Sequence, residues 1–301
     1  MTTAVLCMAY GSPRSLDEVE GYLTDIRGGK QPSKEGLDEL KQRYARIGGG
    51  SPLTDITESQ ASALQERLDE ISPGQFRTYI GMKHWHPFIS ETVEKIAADG
   101  VQRLIGLVLA PHYSKMSIGG YESRVRDALE AVGGGFEFRM IPRWYDEPKF
   151  VDFYASLIRE PLGRWDKEGT RVFFTAHSLP EQILSYGDRY QDELMESSSM
   201  TAGAAKVSDW EFAFQSASHT GEPWLGPDIL ERLEAFGQDG GKRALVAPIG
   251  FTADHLEILF DVDVECAEKC REIGLDFRRT ASPNDHPAFI DALASVVLGA
   301  G

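Results

Sequence analysis

Residues 171–180 read Arg171-Val172-Phe173-Phe174-Thr175-Ala176-His177-Ser178-Leu179-Pro180, an apolar run that stops at an imidazole and is followed by a serine and a proline. A short run of aromatic and β-branched residues closed by such punctuation predicts a buried strand over Arg171–Ala176. A second passage has the same form. Ala244-Leu245-Val246-Ala247-Pro248-Ile249-Gly250-Phe251 is apolar and leads into Asp254-His255-Leu256-Glu257-Ile258-Leu259-Phe260-Asp261. Open α/β sheets bind ligands outside the carboxyl ends of their strands. If these two strands are neighbours, His177 and Glu257 face one cleft, as a pair able to hold a divalent metal, to move protons, or to do both.

Working outward, strand-like runs alternate with amphipathic stretches along the whole chain, the pattern of a mostly parallel sheet. Strands are expected over Ala4–Ala9, Arg77–Gly81, Arg103–Ala110, Glu137–Ile141, Arg171–Ala176, Trp210–Gln215 and Ala244–Phe251. Helical spacing marks Gln60–Ile71, Pro87–Asp99, Glu122–Val132, Phe150–Leu162, Asp228–Phe236 and His255–Ile273. The two halves punctuate alike. Each opens on a strand that ends in a small residue, a serine and a proline (Ala9-Tyr10-Gly11-Ser12-Pro13 and Ala176-His177-Ser178-Leu179-Pro180), and each has a late strand ending in Ala-Pro. This predicts two similar Rossmann-like α/β domains, residues 1–145 and 146–301, facing each other across a cleft and joined near Trp144-Tyr145-Asp146-Glu147-Pro148.

The chain has 301 residues, 42% hydrophobic and 26% charged, with a net charge of −16. That charge excludes a nucleic-acid binder, since nothing would release counterions from phosphates. The start, Met1-Thr2-Thr3-Ala4-Val5-Leu6-Cys7, has no basic n-region, and no apolar run reaches the roughly 20 residues that a membrane span requires. A cytoplasmic, monomeric enzyme is expected. Three cysteines make no disulfide framework, and a two-iron cluster takes four thiolates, so Cys7, Cys266 and Cys270 are expected as free thiols. The glycine-rich stretches Arg27–Ser33 and Ile47–Leu53 let the backbone approach a ligand closely, but neither forms a dinucleotide or P-loop motif.

Each motif also admits a plainer role. His177 is either a ligand or part of a cap in which Ser178 starts a helix through Gln182 and Leu184. Glu257, Asp261 and Glu265 recur at every fourth residue. An α-helix turns about 40° past a full circle over four residues, which gives a slanted acidic stripe. A local π-helical winding aligns the three better. Such a stripe is either a solvated face or a path for metal ions and protons, and like charges at this spacing repel modestly. Tyr10, at the end of the first strand, either approaches a ligand or packs. Arg27, Lys30, Lys41 and Arg43 either pair with ligand carboxylates or balance nearby acids. Trp224, in Pro223-Trp224-Leu225-Gly226-Pro227, is a stacking wall for a flat ligand or a plug under a loop.

Residues 4–15, 43–53, 104–121, 173–180, 215–227 and 246–265 together resemble the ferrochelatase family, which inserts ferrous iron into porphyrins. The resemblance covers nearly the whole chain. It rests most specifically on Ala176-His177-Ser178-Leu179-Pro180, Pro223-Trp224-Leu225-Gly226-Pro227 and Asp254-His255-Leu256-Glu257. Met8-Ala9-Tyr10-Gly11-Ser12-Pro13 and Gly48-Gly49-Gly50-Ser51-Pro52-Leu53 also fit. It implies a chelatase-like fold, Fe2+ and a porphyrin as substrates, and no organic cofactor. Within the family the chain looks most like the compact Gram-positive enzymes that act on coproporphyrin III, without the cluster-bearing C-terminal extension of the animal enzymes. By this resemblance His177 and Glu257 bind the incoming iron, and Asp261 and Glu265 continue a metal or proton path. Tyr10 is an axial partner on the opposite ring face, while Arg27, Arg43, Tyr44, Ser51 and Tyr121 hold the tetrapyrrole and its propionates. Gly28 stands where the family often has a second arginine. Three alternatives remain: the same chemistry on protoporphyrin IX; a non-catalytic haem or tetrapyrrole carrier, which needs only Tyr10 and the ring-holding groups; and sirohydrochlorin or cobalt chelation, whose chains are typically shorter and organised around different histidines.

Overall fold

A computed structural model describes residues 2–165, 168–218 and 221–301. His219 and Thr220, inside the matching stretch 215–227, lie outside the described residues. The chain divides into two compact units.

The first unit opens with β1 (Thr3–Ala9), then α1 (Val19–Ile26), α2 (Lys34–Arg46) and α3 (Leu53–Ile71). It continues through β2 (Phe76–Met82), α4 (Ile89–Ala98), β3 (Arg103–Val108), α5 (Ile118–Ala131) and β4 (Glu137–Ile141). The second unit runs α6 (Pro148–Leu162), β5 (Thr170–His177), α7 (Tyr190–Ala205), β6 (Trp210–Gln215), α8 (Ile229–Gln238) and β7 (Arg243–Ala247). There follow α9 (Leu256–Leu259), a π-helix over Asp261–Cys266, α10 (Ala267–Ile273), β8 (Asp276–Arg279) and α11 (Pro287–Ala300).

Among the described residues the strands form two four-stranded sheets, ordered β2-β1-β3-β4 and β6-β5-β7-β8, with every pairing parallel. The repeated punctuation of the sequence thus reports a repeated topology. In each sheet the first strand is internal and apolar because it is flanked on both sides and covered by helices: β1 is buried at every position. The chain steps to one side of that strand and then crosses to the other. The place where strand order reverses is the gap between β1 and β3 in the first unit and between β5 and β7 in the second.

The exposed edge of β2 is closed by side chains. Gln65 accepts from the Thr78 amide at 2.7 Å and donates to the Phe76 carbonyl at 3.1 Å, and Thr92 donates to the Ile80 carbonyl at 2.7 Å. Those bonds occupy backbone groups that an edge strand otherwise offers to another chain.

The structure corrects several expectations. The boundary falls between Trp144 and Tyr145, close to that expected, but Ala253–Leu256 and Asn284–Gly301 belong with the first unit rather than with a half spanning 146–301. The reason is α11, which buries Phe289, Ile290, Leu293 and Val297 and is tied to α3 by Arg67–Asp291 at 2.6 Å. The strand expected over Ala244–Phe251 stops at Ala247, since Pro248 has no N–H to continue the ladder. β8 escapes the sequence pattern because Phe277 is its only apolar residue among Asp276, Arg278 and Arg279. The charges suit an edge strand.

Candidate functional site

In the second unit the strand-order reversal is flanked by His177, the last residue of β5, and by the segment that leaves β7 and leads to Glu257. Gly250 makes that route possible. A Cβ there would lie 2.5 Å from the Ala176 Cβ, and the Gly250 amide donates to the Thr175 carbonyl at 3.1 Å.

His177 is half-buried, and its backbone carbonyl accepts the Tyr190 hydroxyl at 3.0 Å. The imidazole Nδ1 lies 2.5 Å from the Ser178 carbonyl. A carbonyl can only accept, so this contact assigns the proton to Nδ1 and leaves the Nε2 lone pair for a metal or a proton. Ser178 is not a helix cap. It is fully buried and donates its hydroxyl to the Leu225 carbonyl at 2.7 Å, while the 3-10 helix beyond it, Glu181–Tyr186, has no side-chain cap. That bond and the Pro180–Trp224 bridge bring the Trp224 loop to the end of β5. The Trp224 ring centroid stands 6.4 Å from that of His177, and the indole is half-buried.

Glu257, in the first turn of α9, is also half-buried. Its backbone carbonyl accepts from Gln215 Nε2 at 2.7 Å, and Gln215 Oε1 in turn accepts the Thr175 hydroxyl at 2.7 Å. Gln215 is buried and pairs with His177 in the β5–β6 register. One amide therefore links the strand bearing His177 to the helix bearing Glu257. Beyond Glu257 the winding widens: the Phe260 carbonyl accepts from both Val264 at 3.1 Å and Glu265 at 3.0 Å. This is a π-helical turn, and it spans Asp261–Cys266. Asp261 is buried and accepts the Ser216 hydroxyl, and Glu265 is half-buried. Among the described residues no group of three or more His, Cys, Asp or Glu stands ready to enclose a metal ion, so His177, Glu257, Asp261 and Glu265 are not a preformed cage.

In the first unit Tyr10 follows β1 at the other reversal and is 39% exposed. Its ring lies 4.6 Å from the His84 ring, and Lys83 Nζ sits 5.9 Å from the Tyr10 centroid and 5.1 Å from that of Tyr121. Burial, with a smaller push from Arg124, lowers the Lys83 ammonium to about 8. Burial also lowers His84, partly offset by the bond from its Nδ1 to Asp25 Oδ2 at 2.8 Å. Tyr121 is buried, which holds its phenol protonated. His112, beyond β3, is buried, and its pKa falls to about 3 through that burial.

The remaining expected residues are spread over the first unit. Arg27 is exposed at the end of α1, and Arg43 is half-buried in the last turn of α2. Tyr44 is only 1% exposed. Ser51 is buried, accepts the Leu53 amide at 3.3 Å and donates its own amide to Pro13 at 2.9 Å. The three cysteines are free and buried, with burial raising Cys7 and Cys270 to about 12 and Cys266 well above its ordinary value. Among the described residues no helix is long and apolar enough to cross a membrane.

Sequence reasoning missed Lys83, His84 and Asp25 around Tyr10, and Gln215 behind Glu257. A signal existed for two of them: Lys83-His84 follow directly on β2, in the position relative to their strand that marked His177.

Two parallel sheets of this topology, each with polar groups at its strand-order reversal, define a chelatase fold. The chain is similar to the solved structure of the sirohydrochlorin chelatase SirB from Bacillus subtilis subspecies spizizenii in complex with cobalt. The TM-score is 0.57 at 10% identity, over 100% of this chain and 95% of that one. A family model for ferrochelatase matches residues 2–300, and the chain belongs to the ferrochelatase family. It is 46% identical over 300 residues to the ferrochelatase of Herpetosiphon aurantiacus, covering 99% of this chain and 98% of that protein. It is 44% identical over 302 residues to the coproporphyrin III ferrochelatase of Geobacillus kaustophilus, covering 99% and 95%.

Proposed function

We propose that this protein is a coproporphyrin III ferrochelatase of haem biosynthesis, inserting Fe2+ into coproporphyrin III to give iron coproporphyrin and two protons. The observation that carries this reading is similarity along nearly the entire chain to enzymes of that name, 44% identical in the case of Geobacillus kaustophilus. The geometry of the second unit is consistent with the chemistry. Insertion requires the iron to shed water and two pyrrole nitrogens to lose their protons. His177 Nε2 points away from the Ser178 contact, and an imidazole nitrogen suits either task. The Glu257 carboxylate suits a hard divalent cation that must be received and then released.

Tyr10 and Tyr121 contact the porphyrin in this reading, Trp224 stacks on it, and Arg27, Arg43 and Ser51 serve its propionates. Tyr44 is a further residue that holds the tetrapyrrole in this reading. Asp261 and Glu265 extend the path for iron or protons. The enzyme works in the cytoplasm as a monomer and needs no organic cofactor, and its three cysteines fall short of the four thiolates that an iron–sulfur cluster takes.

The test is Fe2+ insertion by the purified protein into coproporphyrin III and protoporphyrin IX, alongside His177→Ala. The expected result is preference for coproporphyrin III and loss of insertion in His177→Ala with porphyrin binding retained. Preference for protoporphyrin IX would reassign the substrate. Porphyrin binding without insertion by the unaltered protein would identify a carrier.

A further inference from the structure

We propose that Asn284 is a positioning residue for Glu257, acting through Asp254. This rests on the reading of Glu257 as the carboxylate that receives iron or protons.

Asn284 has φ of +44°, in the left-handed region that few residues other than glycine adopt and that asparagine tolerates. All its side-chain polarity goes to one neighbour. Oδ1 accepts the Asp254 backbone N–H at 2.9 Å, and Nδ2 donates to Asp254 Oδ2 at 3.0 Å. Its own backbone carbonyl accepts from Gln60 Nε2 at 2.9 Å, and Gln60 is buried on α3. The chain therefore makes a turn unfavourable for most side chains in order to present an amide squarely to Asp254.

Asp254 lies in the segment Ala253–Leu256, which belongs to the first unit although the residues on either side of it belong to the second. Within that segment His255 Nδ1 is 2.8 Å from the Ala253 carbonyl, so its geometry is closely defined. The next residue is Glu257, whose carbonyl is held by Gln215. The backbone of Glu257 is thus constrained on one side by Gln215 and on the other by a segment clamped to Asn284. A carboxylate that must meet a metal ion and a pyrrole proton is sensitive to such constraint, because misplacement by about 1 Å can cost a hundredfold in rate.

Three variants test this. Asn284→Gly keeps the left-handed backbone and deletes both side-chain bonds. Asn284→Asp keeps an acceptor for the Asp254 amide but sets two carboxylates against each other. Asp254→Asn combined with Asn284→Asp exchanges amide and carboxylate and restores both bonds. In Asn284→Gly and Asn284→Asp, kcat for Fe2+ insertion is expected to fall about tenfold, well within what misplacement costs, with the KM for coproporphyrin III unchanged. Amide hydrogen exchange over 253–260 should quicken in both, while α3 keeps its protection. The double variant should recover kcat to within about twofold, since restored pairs couple non-additively. Unaltered kcat in Asn284→Gly, or a double variant no better than Asn284→Asp, would overturn the inference. Absence of iron insertion by the unaltered protein would instead overturn the functional reading, and the exchange rates would still show whether the clamp holds.

Discussion

The side-chain amide of Gln215 donates to the backbone carbonyl of Glu257 at 2.7 Å while accepting the Thr175 hydroxyl at 2.7 Å. Gln215 is buried, so nothing in bulk water can replace its amide at that carbonyl. Gln215→Glu keeps the acceptor for Thr175 but loses the donor. Turnover should fall about tenfold with the porphyrin KM unchanged, the signature of an interaction that serves the transition state. The check is steady-state kinetics of both variables. A rise in KM alone would mean that Gln215 shapes the porphyrin site instead.

Glu257→Gln preserves shape and removes the charge that attracts Fe2+. We expect a fall in kcat of at least a hundredfold at saturating porphyrin, typical of losing a group that acts on the reacting atoms. Asp261→Asn should cost less, because Asp261 is already engaged by the Ser216 hydroxyl one turn further along. Equal and small losses in insertion assays of the two variants would mean that the stripe is a solvated face.

Arg27→Ala should raise the KM for coproporphyrin III about fivefold and that for a porphyrin with fewer carboxylates by less, since an exposed charged contact contributes modestly. Gly28 and Gly29 follow it with φ of +65° and +86°, so neither adds a side chain beside Arg27. Measuring KM for both porphyrins decides the matter. Equal increases would remove Arg27 from propionate selection.

Acid should destabilise the protein through His112. Burial holds its folded pKa at about 3, against an ordinary value of 6.5, so between those values the unfolded chain binds a proton that the folded chain does not. The sign follows from linkage: the stability present above pH 6.5 is lost as the pH falls toward 3. From pH 6.5 to 5 the loss is about 2 kcal/mol. Urea unfolding at pH 7 and 5 should show this loss in the unaltered protein and a smaller one in His112→Leu. Identical losses would place the imidazole within reach of water.

Much of this architecture was legible in the chain. Strand-like runs alternating with amphipathic stretches marked seven of the eight strands found among the described residues, and β1, covered on both faces, is buried at every position. The same runs pointed to His177 and Glu257, since a polar residue placed where a buried strand ends has few other places to go. The acidic spacing at Glu257, Asp261 and Glu265 even called for a wider helical winding, and the π-helix over Asp261–Cys266 supplies one.

Tertiary structure alone decided the remainder. Gln215 reads as an ordinary strand end until pairing sets it opposite His177 and beneath Glu257. Asn284 reads as a loop residue until its amide meets Asp254, 30 positions earlier. α11 shows no preference for either sheet in its own pattern, and only the fit of its apolar face, with Asp291 on Arg67, returns it to the first unit. The reason is physical. Periodicity and punctuation report what each residue needs from its local environment, whereas a side-chain hydrogen bond between distant segments depends on where the whole chain has already gone.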